Sequence, residues 1–508
     1  MKRIITSAAV LFLTAVYIHA SSYRISDITY SIAGRTNAKL LERNIPVDKL
    51  TVFPDETALL KYIEDYKQQL YNTRFFEEVD LDYTVSAPDQ NDLCTVSLSS
   101  SLKDSFHLLA LPYFKYDSND GAVFKIKIKD TNFLGTLNPL NSDINFQLKQ
   151  DSTTDELDNI LGVALSYDYP FSLFNYNAAW TNNDSVSYTF GKSTPEWDLN
   201  TGLTLSIPLK RCSLDFSLSQ GFYRDFDYTK YGDETYFKNS TSVSLPIVIQ
   251  HIDNWGDVKY TPSVSATVNW DSDGINPENS DLSSPSFSIG QSITTSRINW
   301  KNNFRTGISI TTSQAYTYNL QTATFAPKFS AEFLGFKGFK YAGICTDIYV
   351  FSYINSDEKI GSRLRGVRDD QYFSESSGKS SVYACRTPAA LVVNLDLPIH
   401  LFTTHWTEWP ITKNFSFMKY FDFECQVSPF LDFALDTNYA TGRIFNYKDG
   451  FYCAGMEVIL FPAKWSSIQV RASFGIDVGR YVLSKWIDTS WRDTVSKYEF
   501  SFGVGLYY

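Results

Sequence analysis

The sequence predicts an antiparallel transmembrane β-barrel of about 16 strands, preceded by one small α+β domain. Three observations support this fold class. The chain of 508 residues is rich in aromatic side chains, at 16%, yet its mean hydropathy is only −0.21. From about residue 106 onward, apolar and polar residues alternate, as they do in strands with one face in lipid and one in water. The segment before that point has a helical period instead.

The first residues have the composition of a secretory signal peptide. Lys2 and Arg3 are followed by an apolar stretch, Ile4–Ile18, and then by small residues. We therefore predict a signal peptide at residues 1–20 with cleavage after Ala20. A membrane anchor is the less favoured alternative because the apolar stretch is too short to span a bilayer comfortably. No run of about 18 apolar residues follows, so insertion into a membrane would require strands closed into a barrel.

Residues 21–104 are predicted to form a separate α+β domain with the element order β-α-α-β-β. The longer helix carries apolar residues at helical spacing, which places them on one face against a sheet. The predicted elements are strands at Tyr23–Ile32, Glu77–Val85 and Cys94–Leu102 and helices at about Asn37–Arg43 and Asp55–Asn72.

Residues 105–508 carry the pattern of the barrel, and the final segment shows it most clearly. One face of this segment is wholly apolar, with Tyr498, Phe500, Phe502, Val504, Leu506 and Tyr508. The opposite face holds Glu499, Ser501, Gly503 and Gly505. Other strands also gather their charges on one face, which indicates a watery lumen. A soluble sandwich can alternate in this way, but it would not usually be so aromatic or need so many strands.

Two long polar segments, residues 269–286 and 355–387, are predicted to be loops at one end of the barrel. The second contains GSRLRGVRDD, in which three arginines surround one glycine. At roughly 25 residues per strand and connection, the barrel holds about 16 strands, and direct counting leaves about 18 open. Five strands are predicted after the second loop, at about 388–402, 420–435, 451–463, 466–479 and 497–508.

Short motifs along the chain resemble those of the outer-membrane assembly and translocation superfamily of the BamA/TamA type. Its members carry one or more polypeptide-transport-associated (POTRA) domains before a C-terminal barrel. IAGRTNAKLL and LYNTRFFEEVDLDYTV resemble segments of a POTRA domain. DTNFLGTLNPL, NLDLP and FLDF resemble barrel motifs, and LRGV resembles the Arg-Gly tip of a long loop that folds back into the lumen. The chain departs from the pattern at Val367, where the family has an aromatic residue, and in having a single POTRA-like domain.

The resemblance implies that the tip of the second long loop enters the lumen. Alternation places Asp396 and Asp432 on the lumen face of neighbouring strands. The guanidinium of Arg365 is therefore expected to pair with both carboxylates. Gly366 would let the tip turn tightly beside the wall. The alternative is a basic loop that lies in solvent outside the barrel.

The two flanking arginines, Arg363 and Arg368, are expected to meet other acidic side chains of the lumen. Asp422 and Glu424 are the candidates, because both lie on the charged face of one predicted strand.

The resemblance also implies a weak seam where the first barrel strand, at about His107–Asn119, meets the last one, at Lys497–Tyr508. Gly503 and Gly505 would weaken strand pairing there because strands with glycine pack poorly. They would equally make space for a bulky side chain in the lumen. Aromatic residues of the same strand are candidates for a C-terminal signal: Phe500, Phe502 and Tyr508.

The function implied by the resemblance is insertion or translocation of client polypeptides at the outer membrane of a diderm bacterium, with the POTRA-like domain in the periplasm. The expected partners are outer-membrane lipid, unfolded client polypeptides and accessory periplasmic proteins. Clients would add to a strand edge of the domain, at Tyr23–Ile32 or Glu77–Val85. The alternative is an outer-membrane porin or specific channel, which explains the barrel but not the N-terminal domain.

Other classes of function are not favoured. A net charge of −11 argues against binding of nucleic acid, which usually requires a basic patch. The sequence lacks a Gly-x-Ser-x-Gly elbow, a glycine-rich phosphate loop and a zinc signature, so neither catalysis nor a cofactor is expected. Asp117–Gly121 and Asp271–Gly274 resemble calcium loops but lack the closing glutamate, which favours turns. The six scattered cysteines are expected to be single thiols.

Overall fold

The structure of the protein, a computed structural model, describes residues 22–90, 92–117, 121–150, 157–209, 212–224, 235–272, 274–275, 282–367, 372–374, 381–383, 385–412, 414–439, 441–492 and 498–504. The predicted signal peptide at residues 1–20 lies outside the described residues, as do Arg368, Gly505 and Tyr508. Within the described ranges, no helix is long and apolar enough to cross a membrane.

Residues 22–104 fold into a small α+β unit, which we call the N-terminal domain. Its elements are β1 (Ser22–Ala33), α1 (Ala38–Asn44), β2 (Val52–Phe53), α2 (Glu56–Asn72), β3 (Phe76–Val85) and β4 (Leu93–Asp104). The sheet has the order β2-β1-β4-β3, with β1 and β4 parallel and the other neighbours antiparallel. Apart from the two-residue strand β2, these are the elements expected from the sequence.

The core of the N-terminal domain lies between α2 and the sheet. The apolar face of α2 buries Leu59, Ile63, Tyr66 and Leu70. Asp55 begins this helix by accepting a hydrogen bond from the backbone N–H of Ala58 (2.8 Å), which satisfies one free donor of the first turn. Each fully buried apolar side chain stabilises the domain by about 1.5–3 kcal/mol.

The remaining strands before and after the long loop close into an antiparallel barrel. Before the long loop they are β5 (Leu108–Asp117), β6 (Gly121–Asp130), β7 (Leu140–Gln150), β8 (Leu157–Leu173), β9 (Tyr176–Thr189), β10 (Glu196–Pro208), β11 (Ser213–Arg224), β12 (Thr235–Ser244), β13 (Ile247–Ile252), β14 (Gly256–Trp270), β15 (Ser286–Lys301), β16 (Phe304–Asn319), β17 (Thr324–Gly338) and β18 (Gly343–Tyr353). The four short strands inside that loop are β19 (Glu358–Lys359), β20 (Tyr372–Ser374), β21 (Ser381–Tyr383) and β22 (Arg386–Thr387), and they form two separate two-stranded sheets, β19-β22 and β20-β21. After the loop the barrel strands are β23 (Ala389–Asp396), β24 (Ile399–Thr403), β25 (Phe423–Asp436), β26 (Phe451–Pro462), β27 (Val470–Asp477) and β28 (Tyr498–Val504), with the single-turn helix α3 (Val478–Tyr481) after β27.

Two of the barrel strands are interrupted. β12 and β13 both pair with β14, and β23 and β24 both pair with β25, so each couple forms one broken strand. The breaks contain Pro246 and Pro398, which lack the N–H that a strand ladder needs. Counted in this way, the described residues form eighteen barrel strands, the higher number that the sequence left open. Five of them follow the long loop, in agreement with the sequence.

The connections between barrel strands lie at two opposite ends of the barrel, which differ in the length of their connections. At the domain end, next to the N-terminal domain, most connections are short, and β8 and β9 are joined by residues 174–175 alone. The exception is residues 404–422 between β24 and β25, which we call the aromatic connection. At the loop end lie the two segments that the sequence placed together, between β14 and β15 and between β18 and β23.

The exposure of barrel side chains is the inverse of that in a soluble protein. Leu431 and Phe474, on the outward face, are 59% and 50% exposed, whereas Asp432 and Arg471, on the inward face, are 2% and 7% exposed. An apolar outer surface around a charged interior is the pattern of a barrel that sits in lipid. The predicted fold class, a transmembrane barrel after a small α+β domain, is therefore confirmed.

All six cysteines are in the thiol form. Cys425 lies in β25 and Cys453 in β26, where the alternating pattern placed them.

Candidate functional site

The long loop, residues 354–388 between β18 and β23, folds back into the barrel lumen. Its two legs pair through β19 and β22, and a turn of 3-10 helix at Gly361–Arg363 leads to the tip at Arg365 and Gly366. The apolar residues beside the tip, Ile360, Leu364 and Val367, are buried. They belong to a lumen core formed with inward-facing wall residues, among them Phe351, Val392, Ala434 and Phe451.

Arg365 pairs with two carboxylates from neighbouring strands, as the resemblance implied. Its Nη2 and Nε donate to Oδ1 (2.6 Å) and Oδ2 (2.9 Å) of Asp432, and its backbone N–H also donates to that Oδ2 (2.9 Å). Nη1 and Nη2 donate to Oδ1 (2.5 Å) and Oδ2 (3.2 Å) of Asp396. The guanidinium carbon lies 3.8 Å from the centre of the Phe430 ring. A planar fork held by two carboxylates and a ring fixes the tip against β23 and β25.

The ion pairs of the tip are withdrawn from solvent and continue into the wall. The Asp432 side chain is 0% exposed and that of Arg365 is 17% exposed. Glu457 on β26 lies 3.9 Å from Arg365 Nη1 and accepts a hydrogen bond from Arg471 on β27 (Nε to Oε1, 2.8 Å). Arg365 of the loop and Arg471 of β27 are thus linked with one acid each from β23, β25 and β26 in a continuous network. Removing one member would leave a buried charge without its partner.

Glycines of the wall make room for the tip. Gly366 has φ +121°, a region that favours glycine, and its N–H donates to Oε2 of Glu499 on β28 (3.1 Å). A Cβ at Gly475 would lie 2.3 Å from the carbonyl oxygen of Arg365. A Cβ at Gly455, which pairs with Gly475, would lie 2.4 Å from the Phe430 ring. Sequence reasoning missed these wall residues, although glycines at inward positions of adjacent strands are a signal of a close approach.

Arg363 meets acidic side chains of the barrel wall, as expected, but the two candidates named for it from the sequence are wrong. Its Nη1 donates to Glu332 on β17 (2.9 Å) rather than to Asp422 or Glu424. Those two acids lie at the domain end, at the start of β25, whereas the tip meets β25 further along, at Asp432. The loop enters from the opposite end, so these side chains are beyond its reach.

The last strand joins the tip to the seam of the barrel. The described part of β28 pairs with β27 and neighbours β5, the first barrel strand. Phe500 faces outward and is 60% exposed, and Phe502 is on the same face by alternation. Gly503 is opposite Arg471 in the ladder between β27 and β28. β27 has eight residues, whereas β15 and β16 in the opposite wall have sixteen each. The wall beside the seam is therefore held by fewer ladder hydrogen bonds.

The N-terminal domain lies across the domain end and contacts strand connections around the whole rim. Most of these contacts are polar, and several use backbone carbonyls at the ends of the barrel strands as acceptors. They include Asn132 to Thr36 (2.7 Å), Arg43 to the carbonyls of Phe171 (3.0 Å) and Ala178 (3.3 Å), Arg297 to Asp65 (2.9 Å), Gln68 to the carbonyl of Trp300 (3.0 Å), and Lys464 to Glu77. The domain therefore covers the barrel mouth at this end.

Arg74 is the most deeply buried cation of this junction. It follows α2 with φ +60°, a left-handed conformation that is unfavourable for a residue with a side chain. Its Nε donates to the carbonyl of Ser466 (2.6 Å) and its Nη2 to Oδ1 of Asn303 (2.9 Å), and it lies 4.7 Å from the Trp300 ring centre. Burial lowers the pKa of Arg74 to about 10. One side chain thus links two connections that lie far apart on the rim.

The connection between β15 and β16 bends over the lumen below Arg74. Asn302 and Asn303 both have positive φ, as in the tight turns that favour asparagine. Asn303 Nδ2 donates to Oε2 of Glu424 on β25 (2.7 Å), and the rings of Trp300 and Phe461 lie 6.4 Å apart. This half of the lumen is therefore obstructed at the domain end, and the Arg365 tip obstructs it further along.

Comparison with known proteins gives a likeness of fold. No family model and no curated protein matches the sequence. Among solved structures, the chain is similar to CdiB from Acinetobacter baumannii, with 13% identity and a TM-score of 0.49, covering 96% of this chain and 74% of that one. CdiB from Escherichia coli is 11% identical with a TM-score of 0.40, and the match covers 98% of this chain and 93% of that one. BamA from Haemophilus ducreyi lacking POTRA domains 1–3 is 14% identical with a TM-score of 0.35, and the match covers 95% of this chain and 84% of that one.

The fold is established by the topology of the chain itself. A β-α-α-β-β domain precedes a closed barrel, and an arginine-tipped loop enters the lumen five strands before the end of the chain. The resemblance drawn from the short motifs is therefore confirmed at the level of fold. The protein has the architecture that this resemblance implied, one small POTRA-like domain before a closed barrel with an inserted loop.

Proposed function

We propose that the protein inserts or translocates client polypeptides at the outer membrane of a diderm bacterium, with its N-terminal domain in the periplasm. The obstructed lumen is the observation that carries this proposal. The Arg365 tip is bound to β23 and β25 and reaches Glu499 on β28, so it ties the wall together up to the seam. A passive pore would need that space to be open. A barrel that handles clients at its wall would not.

The N-terminal domain offers edges to which an extended client can add as a further strand. β3 is at the edge of the sheet. β1 pairs with β2 only through Tyr23 and Arg24, and beyond Arg24 that side of β1 has no further strand partner among the described residues. Backbone N–H and C=O groups at such edges bind extended chains through a ladder of hydrogen bonds. Both segments named from the sequence therefore keep a free edge over most of their length.

The seam between β28 and β5 would then receive the client strand. The wall beside it is short, and the exposed aromatic face of β28 is compatible with lipid. A client strand that pairs there needs to displace fewer hydrogen bonds than it would in the long strands of the opposite wall.

Depletion of the protein, followed by quantitative proteomics of the outer membrane, tests the proposal. Loss of many barrel proteins would indicate a general machine, and loss of one would indicate a dedicated transporter. Complementation should succeed with wild type and with Arg443→Ala, whose arginine pairs with Asp449 and Asp488 at the loop end, but not with Arg365→Ala. An unchanged outer-membrane proteome after depletion would contradict the proposal.

Single-channel recording separates this function from the alternative of a porin or specific channel. The obstructed lumen is expected to give small, flickering currents in planar bilayers. A large and stable open conductance from the wild-type protein would favour the channel.

A further inference from the structure

A cavity of about 490 Å³ lies where the N-terminal domain meets the first barrel strand. Its lining comes from the end of β1 and the turn after it, the start of β3, the end of β4, the segment leading into β5, the aromatic connection and the connection between β26 and β27. The Arg365 tip does not contribute to it, and of the two edge strands of the N-terminal domain only the last residue of β1, Ala33, and Glu77 at the start of β3 line it. The proposed function therefore leaves it unexplained.

The lining is predominantly basic. Four cations surround the cavity, against two carboxylates: Arg35, Lys103, Lys419 and Lys464 against Glu77 and Asp104. Among the described residues, the side chains of Arg35 and Lys419 have no carboxylate partner. Lys464 pairs with Glu77, and Lys103 pairs with Glu78 (2.7 Å) and Glu77 (3.4 Å). The cavity thus has an excess of positive charge.

Asp104 does not cancel that excess, because the backbone already uses it. Its Oδ2 accepts hydrogen bonds from the N–H groups of Arg35 (2.6 Å) and Thr36 (2.9 Å), and its Oδ1 accepts from the Thr36 hydroxyl (2.8 Å). This carboxylate fixes the turn after β1 and has little capacity left for a ligand.

Two buried polar side chains in the lining have no hydrogen-bond partner. Ser105 is 5% exposed and His107 is 8% exposed, and neither the Ser105 hydroxyl nor either His107 nitrogen makes a hydrogen bond. His107 Nε2 lies 3.3 Å from Asp104 Oδ2 but without hydrogen-bond geometry. Nε2 therefore faces the Asp104 carboxylate, whereas the Ser105 hydroxyl and His107 Nδ1 face no partner. Buried polar groups in native proteins are nearly always satisfied, so these two atoms indicate a ligand that the protein alone does not supply. Beside unpaired cations, that ligand is an anion with several acceptor oxygens.

The rim of the cavity is apolar and belongs to the outer surface of the barrel. Leu108 is 60% exposed, and its position in β5 puts it on the same outward face as Ile126 of β6. Phe106 is 47% exposed and packs against Tyr420 and Trp465, with ring centres 5.8 and 5.3 Å apart. The aromatic connection adds further exposed apolar side chains nearby: Trp409, Ile411, Phe415, Phe417 and Phe421. Aromatic residues at the end of barrel strands are typical of the boundary between lipid and water.

We propose that this cavity binds the phosphate-bearing headgroup of a membrane phospholipid. The phosphate oxygens accept hydrogen bonds from Ser105 and His107 and pair with Arg35 and Lys419. The acyl chains leave over Phe106 and Leu108 and lie against the aromatic connection. The bound lipid thereby sits at the base of β5, beside the seam, and joins the N-terminal domain to the membrane.

The test is native mass spectrometry of the delipidated full chain, titrated with phosphatidylglycerol, with diacylglycerol of the same acyl chains, or with inorganic phosphate. We expect one tight phosphatidylglycerol site per chain. Arg35→Met combined with Lys419→Met should weaken it at least about tenfold, because charge-assisted hydrogen bonds are lost. Ser105→Ala combined with His107→Leu should weaken it as well without altering the lysines. Lys67→Met, on the outer surface of α2 away from the cavity, should bind as wild type does.

Each of three outcomes would overturn the proposal. Equal binding by the cavity variants and Lys67→Met would move the lipid elsewhere. Diacylglycerol that binds as tightly as phosphatidylglycerol would mean that only the apolar rim is used. Inorganic phosphate that binds as tightly as the lipid would assign the cavity to a free anion. The shift of the folded barrel on electrophoresis before heating checks that each variant folds, and no client is present, so the result is independent of the proposed function.

Discussion

The loop tip and the N-terminal domain are attached to the barrel from opposite ends and by different kinds of contact. The loop tip is fixed by buried ion pairs in which Asp432 is fully enclosed and Arg365 is nearly so. The N-terminal domain is fixed at the opposite end by hydrogen bonds to backbone carbonyls and by more exposed pairs, such as Lys61 with Asp253, 66% and 73% exposed. Buried pairs are costly to break, whereas exposed pairs contribute about 0–1 kcal/mol each. The tip should therefore be harder to displace than the N-terminal domain.

Under the proposed function, the N-terminal domain would move to receive clients while the lumen stays closed. Detachment of the N-terminal domain would uncover the barrel mouth and leave the Arg365 tip in place. The contacts that hold the domain and those that hold the tip share no residue. The predictions below test this separation, from the largest expected effect to the smallest.

Replacing Arg365 with alanine should have the largest effect. Asp396 and Asp432 would remain buried without their cation, at a cost of about 3–5 kcal/mol in the free energy of unfolding. The tip should leave the lumen, and proteases added from the loop end should cut the loop faster. Limited proteolysis and denaturant midpoints measure both effects.

Arg363→Ala is the matched control for that prediction. Arg363 and its partner Glu332 are about a third exposed, so their pair is screened and its loss should cost far less. Equal proteolysis of the two variants would show that Arg365 is not the residue that holds the tip.

Gly475→Val should displace the tip while leaving every charge in place. A Cβ at Gly475 lies 2.3 Å from the backbone oxygen of Arg365, and backbone cannot rotate away from the clash. Overpacking of this kind costs about 1–3 kcal/mol. At Gly290, in the opposite wall, the nearest atom is the Ser263 hydroxyl at 2.8 Å, which can rotate, so Gly290→Ala should keep the tip seated. Loop proteolysis that does not differ between the two variants would contradict the steric argument.

The part of this arrangement that the sequence predicts is the part set by local patterns within each strand. A period of two residues assigns each side chain of β25 and β27 to the lumen or to lipid, so the lumen positions of Asp432 and Arg471 follow from the sequence. The pairing of Arg365 with Asp396 and Asp432 needed the family resemblance as well, because alternation does not reveal where a loop goes.

The missed features depend on contacts between distant parts of the chain. Gly475 matters because of Arg365, and Glu499 because of Gly366, and no local pattern links these pairs. The partner of Arg363 was wrong for the same reason, since the depth of the loop decides which acids it can reach. The strand count was open because Pro246 and Pro398 interrupt two strands whose halves look like separate elements.

Arg74→Met should loosen the N-terminal domain and leave the barrel unaffected. The substitution removes the hydrogen bonds to Ser466 and Asn303, at a cost of about 1–2 kcal/mol in domain docking. Hydrogen exchange at Asn302 and Asn303 should rise while the melting temperature of the barrel stays constant. Lys61→Met removes an exposed pair and should change neither. A barrel that melts earlier in Arg74→Met would mean that the two sets of contacts are coupled.

The smallest effect should be a sensitivity to acid confined to the domain end. Burial raises the pKa of Asp104, but the nearby His107 and the hydrogen bonds from Thr36 and Arg35 outweigh it and hold this pKa below its usual value. A carboxyl group whose pKa is lower in the folded state stabilises at pH values above its unfolded pKa of about 4, and that stabilisation is lost as the pH falls through the folded pKa. The protection factors of the Arg35 and Thr36 amides should therefore fall below about pH 4 in wild type, whereas in Asp104→Asn they should already be low at neutral pH. The turn held by Asp104 is also hydrogen-bonded to the barrel, because the Asn37 N–H donates to the Gly135 carbonyl (2.9 Å). Acid should therefore loosen the domain before it affects the tip. Wild-type protection that stays constant down to pH values well below 4 would show that Asp104 does not hold this turn.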